Sequence, residues 1–177
     1  MKTLCGILIG VVALFMVAHL ALAGPPSWDD QINKPSRFKV LKEFNDAAVL
    51  DRETGLVWEQ SPETAPNPTA KQTWLDAQTS CNVRTVGGRK GWRLPTIQEL
   101  ASLVDPNNPG GDPDLPPGHP FSNAQSSDSF YWSATTSGTN AGFAWIVFLG
   151  LGDVLIDGKT FTQRVWCVRG GQGVDPQ

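Results

Sequence analysis

Apolar residues recur at helical spacing just past the middle of the chain. Ile97, Leu100, Leu103 and Val104 fall on one face of a segment that opens with Thr96 and is stopped by Pro106. Thr96 followed three residues later by Glu99 is a capping box, in which the hydroxyl and the carboxylate each satisfy a backbone N–H that the first helical turn leaves open. The preceding Trp92-Arg93-Leu94-Pro95 is extended and apolar around one charge, so the unit is a docking core for other elements. A second helix is predicted upstream, with Thr73 and Asp76 at its start and Trp74, Ala77 and Cys81 on its inner face. A start at Thr69 with Gln72 is the alternative.

The remaining apolar stretches read as strands. Phe38, Val40 and Leu41 suggest the first, and Ala47–Leu50 and Leu56–Trp58 suggest a hairpin, with Gly55 supplying a positive φ in its turn. Residues 130–134, 143–148, 154–156 and 165–169 are short, aromatic or β-branched, and separated by Gly, Asn and Asp. Between Pro106 and Ser129 lies a long loop rich in Pro, Gly, Asp, Asn and Ser, whose large apolar residues are Leu115 and Phe121. Loops of this length inside a domain are usually functional. Strands, two helices, a long loop and strands again make the fold class α+β.

The first residues change the picture of where the protein acts. Met1-Lys2, an apolar run from Leu4 to Ala18 and then Ala21-Leu22-Ala23 form a secretory signal peptide, 1–23, with cleavage expected after Ala23. The run is too short for a spanning helix, so no stable membrane insertion is expected after cleavage. Residues 24–36 are a Pro-rich leader, 37–172 the domain, and 173–177 a tail. The expected location is periplasmic or secreted. Two cysteines then remain, Cys81 and Cys167, and in an oxidising compartment they are expected to pair with each other. Closing that loop stabilises a fold by at most about 4–5 kcal/mol in the chain-entropy model. With 17 Asp+Glu against 14 Lys+Arg, nothing suggests a nucleic-acid partner.

Several motifs stand in the order seen in one bacterial secreted family. They are Asp51–Trp58, Thr73-Trp74 through Cys81, Gly91-Trp92-Arg93-Leu94-Pro95-Thr96 with Glu99-Leu100, Tyr131–Thr135, and Cys167-Val168-Arg169-Gly170-Gly171. The chain resembles the Lcl C-terminal domain family, named after a collagen-like adhesin, and through it C-type lectin-like domains and formylglycine-generating enzymes. The resemblance implies a C-type lectin-like fold: a twisted antiparallel sheet flanked by two helices, with a long loop region at one end. It also implies a disulfide from the first helix to the last strand, where Cys81 and Cys167 stand. The Glu-Pro-Asn and Trp-Asn-Asp segments of calcium-dependent sugar binding are absent, as is the adhesin's collagen-like repeat.

Candidate chemistry is sparse. The mature chain has one histidine, His119, and no G-x-S-x-G, H-E-x-x-H or phosphate-loop pattern. A non-catalytic module for adhesion or extracellular recognition of a glycan or cell-surface ligand is the favoured function. An oxidase related to formylglycine generators and a structural component of a surface assembly are the alternatives. The ligand site is expected on the loop end, from Asp105, Asn108, Asp112 and Asp114, with Asn140 beyond the next strand and Tyr131 and Trp132 presenting a flat face. No cofactor is required, but Asp105, Asn107, Asp112 and Asp114 crowd oxygen donors as a calcium loop does. Arg84, Arg89, Lys90 and Arg93 form the alternative site, for sulfate or phosphate groups such as the adhesin's sulfated polysaccharides carry; the plain alternative has Arg93 bracing a carboxylate. Of seven tryptophans, Trp58, Trp74, Trp92 and Trp145 are the expected core, while Trp132 or Trp166 is free to stack on a sugar.

Overall fold

The computed structural model describes residues 37–62, 71–105, 107–108, 113–124 and 129–171. The expected signal peptide, leader and tail, residues 1–23, 24–36 and 173–177, lie outside them. The first strands are as the pattern predicts: β1 (Phe38–Val40), β2 (Ala48–Asp51) and β3 (Val57–Glu59) form an antiparallel meander. Gly55, at φ 71°, closes the second turn by donating its N–H to Asp51 O at 2.8 Å. Arg37 seals the far edge, with two N–H groups on the Asp51 carboxylate at 3.0 and 2.8 Å, both side chains buried.

Helix α1 (Trp74–Val83) starts at Thr73, not Thr69: the Thr73 hydroxyl accepts from Asp76 N, while Gln72 is bridged to Gln163 and so is not helical. Strand β4 (Trp92–Arg93) leads into α2 (Ile97–Ala101), whose capping box is present as expected. Thr96 N donates to Glu99 Oε2 at 2.8 Å and Glu99 N to Thr96 Oγ1 at 3.2 Å. The helix is shorter than its apolar pattern. After Ala101 the chain tightens, with Leu103 N and Val104 N donating to carbonyls three residues back and the Ser102 hydroxyl donating to Glu99 O. Leu100 and Leu103 are nevertheless fully buried on the predicted face.

The antiparallel strands divide between two sheets, where one was expected. Strand β5 (Phe130–Thr136), β6 (Phe143–Phe148) and β7 (Asp153–Gly158) form a sheet of their own, and β8 (Val168–Arg169) joins the first to give the order β1-β2-β3-β8-β4. The sheets are tied by backbone at two places. Trp132 N and Arg164 O lie 3.0 Å apart, and Ala134 N donates to Pro95 O at 2.7 Å. Two apolar clusters result. Trp92 and Trp132 belong to one, and the other gathers round Trp166, whose ring meets those of Trp58, Phe121 and Tyr131 at 5.7, 4.9 and 5.8 Å. Trp132 and Trp166 are thus core, while Trp74 and Trp145 are only half-buried, because β5 is covered on both faces.

Cys81 and Cys167 are bonded to each other. Beside them sits a buried carboxylate: Glu59, 1% exposed, accepts from Arg84 Nη1 at 2.6 Å and from Cys167 N at 2.9 Å. Burial pushes its pKa up to about 7, and Arg84 and the Cys167 N–H offset that only in part. The folded state therefore keeps the Glu59 proton to higher pH than the unfolded chain. Its favourable contribution is complete below 4.5 and lost as pH rises through about 7. His119, whose pKa burial lowers from 6.5, works in the opposite direction just below 6.5. Urea midpoints at pH 5 to 8 should show the wild-type protein losing on the order of 1–3 kcal/mol relative to Glu59→Gln, a comparison in which His119 cancels. A pH-independent difference would mean that Glu59 stays ionised throughout.

Candidate functional site

Among the described residues, the two acidic side chains at the base of the long loop, Asp105 and Asp114, turn inward. Asp105 is 1% and Asp114 3% exposed, and Asp105 N donates to Asp114 O at 2.9 Å across the base of the loop. Asn107 is exposed and donates its backbone N–H to Asp105 Oδ1, while Asn108 Nδ2 donates to Leu115 O. Leu115 and Phe121 are buried, so the loop is anchored in the core despite its polar composition. His119, half-buried, stacks on Phe121 at 5.9 Å. Tyr131 and Trp132 are fully buried and present no ring face beside the loop, which corrects the flat apolar face expected there. Asn140 is exposed on the β5–β6 turn, its Oδ1 accepting from Gly142 N. Asp112 lies outside the described residues. Among the described residues no three His, Cys, Asp or Glu side chains group to hold a metal.

The four basic residues separate into two kinds. Arg84 is buried against Glu59, and Arg93 gives Nη1 and Nη2 to the two oxygens of Glu99 at 2.7 and 2.8 Å. Burial pulls the Glu99 carboxyl upward, but the N–H groups of Arg93 and Thr96 outweigh it and hold the pKa below 4.5. Arg93 Nη2 also donates to Gly170 O at 2.6 Å, so it braces the chain where β8 ends. Arg84 and Arg93 are thereby neutralised within the fold.

Arg89 and Lys90 are different. They follow a tight turn in which Gly87 and Gly88 have φ 57° and 74° and Arg89 N donates to Val86 O, a geometry with two positive φ angles that suits glycine. The turn lies against Phe44. A Cβ at Gly87 would overlap the Phe44 backbone. Both side chains are exposed, and the Arg89 Cζ stands 5.8 Å from the Phe44 ring centroid. Arg169, which the basic run did not include, joins them from β8: its Cζ is 5.9 Å from the same ring and its Nε donates to Lys90 O at 2.9 Å. Arg89, Lys90 and Arg169 take no part in the ion pairs found among the described residues. Three cations are thus gathered at a rigid edge, two of them on one aromatic ring.

Replacing Gly87 by Ala should destabilise the protein by about 2 kcal/mol or more, through the unfavourable positive φ and the overlap with Phe44. A thermal melt compared with Gly88→Ala, where a Cβ would meet open space, separates the two effects. Equal losses would show that contact with Phe44 contributes nothing.

No helix among the described residues is long and apolar enough to cross a membrane. No curated protein matches the chain. The model of the Lcl C-terminal domain matches residues 47–169, from the start of the hairpin to the end of β8. That span contains the capping box, both cysteines and the basic turn, and the chain belongs to the Lcl C-terminal domain family.

Proposed function

We propose that this chain is a non-catalytic binding module of C-type lectin-like architecture that recognises an acidic glycan outside the cytoplasm through Arg89, Lys90 and Arg169. The observation that carries the reading is the sorting of the cations. Arg37, Arg84 and Arg93 are matched to carboxylates within the fold, whereas Arg89 and Arg169 stand near one ring, Arg169 also bonded to the Lys90 carbonyl, and are left to meet charge from outside. A guanidinium whose stem is already fixed loses little freedom on binding and offers a planar fork to sulfate or carboxylate. The disulfide favours an oxidising compartment. The oxidase reading has less support, because both sulfurs are fully buried and bonded to each other.

Heparin, hyaluronan and neutral dextran serve as probes of sulfated, carboxylated and uncharged polymer. Wild-type protein should bind heparin, more weakly as salt rises, and the double variant Arg89→Glu, Lys90→Glu should bind it roughly tenfold or more weakly with little change in melting temperature. Binding that survives the double variant, or that is equally strong on dextran, would overturn the reading.

A further inference from the structure

The pairing register of the first sheet sets a further cation in line with the basic edge. Lys39 of β1 stands opposite Leu50 of β2, Leu50 opposite Val57 of β3, and Val57 opposite Arg169 of β8, which in turn faces Trp92 of β4. Residues directly opposite one another in an antiparallel ladder share a face of the sheet, so these five form one row across all its strands. Phe44 packs on the same face, its ring 6.3 Å from that of Trp92 and 5.9 Å from Arg169 Cζ. The neighbours of Lys39 on β1, Phe38 and Val40, point to the opposite face and pack against the second cluster. The core closes over only one end of the row. Trp92 is buried, Leu50 and Val57 are half-buried, and Lys39 is exposed. Three inter-strand spacings, about 14 Å from backbone to backbone, separate Lys39 from Arg169. Lys39 takes no part in the ion pairs found among the described residues. The exposed Lys42 and Glu43, on the 3-10 turn Lys42–Phe44, are adjacent and opposite in sign, so they add no net charge beside it.

We propose that an acidic polysaccharide lies across the strands of the first sheet, from Arg89 and Arg169 at one end, over Leu50 and Val57, to Lys39 at the other. This rests on the glycan-binding reading and adds to it the direction of the ligand, a minimum length and a fourth cationic contact. A lone sulfate or phosphate is answered at the basic turn and gains nothing from a cation three strands away. A polymer that carries acidic groups on a sugar backbone fits the whole row: its charges meet Lys39 and the arginines, while its C–H faces take Leu50 and Val57 out of water. Lys39 precedes the part of the chain shared with the family. The contact therefore belongs to this chain's own first strand. A lysine on an outer strand also keeps a sheet edge from pairing with another sheet, and binding measurements separate the two roles.

The test compares a heparin disaccharide with a long heparin fragment on the full chain, using Lys39→Glu and, as an equal charge change off the row, Lys42→Glu. Both side chains are exposed, so both variants should melt as wild type does. Lys39→Glu should bind the long fragment about threefold or more weakly than wild type, with a shallower dependence on salt, and bind the disaccharide unchanged. Lys42→Glu should stay within about twofold of wild type on both ligands. Equal affinity of Lys39→Glu and wild type for the long fragment, where Arg89→Glu, Lys90→Glu still weakens it, would overturn the path, leave the basic turn standing and reduce Lys39 to an edge-blunting charge. A loss equally large on the disaccharide, or equally large in Lys42→Glu, would overturn it as well, because overall charge would then account for the effect. If wild type binds neither ligand, the glycan-binding reading itself fails and the path falls with it.

Discussion

A carboxylate taken out of water at Glu59 constrains how the rest of the chain can be arranged. It closes β3, receives the Arg84 guanidinium from the residue that caps α1, and accepts the backbone N–H of Cys167 just before β8. Its own backbone carbonyl accepts the Trp166 indole N–H at 2.9 Å. A buried charge without these partners would be too costly to keep, so α1, β3 and β8 must meet at one point. The disulfide fixes the same meeting covalently, and the first sheet closes as β3 pairs with β8 and β8 with β4. Burial pushes the Glu59 pKa up to about 7, which records how far the carboxylate has been removed from solvent.

From that knot the charges are sorted. Arg84 is committed to Glu59, and Arg93 to Glu99, where it reinforces the capping box and holds the Gly170 carbonyl. The glycine turn between these two arginines projects Arg89 and Lys90 outward, and β8 adds Arg169 near the same Phe44 ring. A protein with a formal net charge of −3 therefore presents a local cationic edge, and local potential rather than net charge governs what such an edge attracts.

What was legible in the sequence was local. The Thr73 and Thr96 caps, the hairpin closed by Gly55 and the pairing of Cys81 with Cys167 depend on neighbours a few residues away or on a count of two. What was not legible depends on distant partners. Arg84 meets a carboxylate 25 residues away, and Arg169 reaches Phe44 and Lys90 from near the end of the domain. Trp132 reads as a strand residue whichever face is covered, and its packing into the cluster with Ala77, Cys81 and Trp92 from distant parts of the chain makes it core. The polar composition of the long loop pointed to a solvent-facing site, but Leu115 and Phe121 pull its base inward and carry Asp105 and Asp114 with them. The division into two sheets rests on β8 returning to β3, a pairing across more than a hundred residues that strand periodicity does not encode.

The claim that the fold spends some cations internally and leaves others for a ligand is tested most directly by NMR of the arginine side chains. Each guanidinium Nε–H is an individual reporter, and a sulfated oligosaccharide can be titrated against all of them at once. The resonances of Arg89 and Arg169 should shift and saturate together, while those of Arg37, Arg84 and Arg93 stay in place. Shifts at Arg84 or Arg93, or a titration that moves only residues of the 113–124 loop, would contradict it.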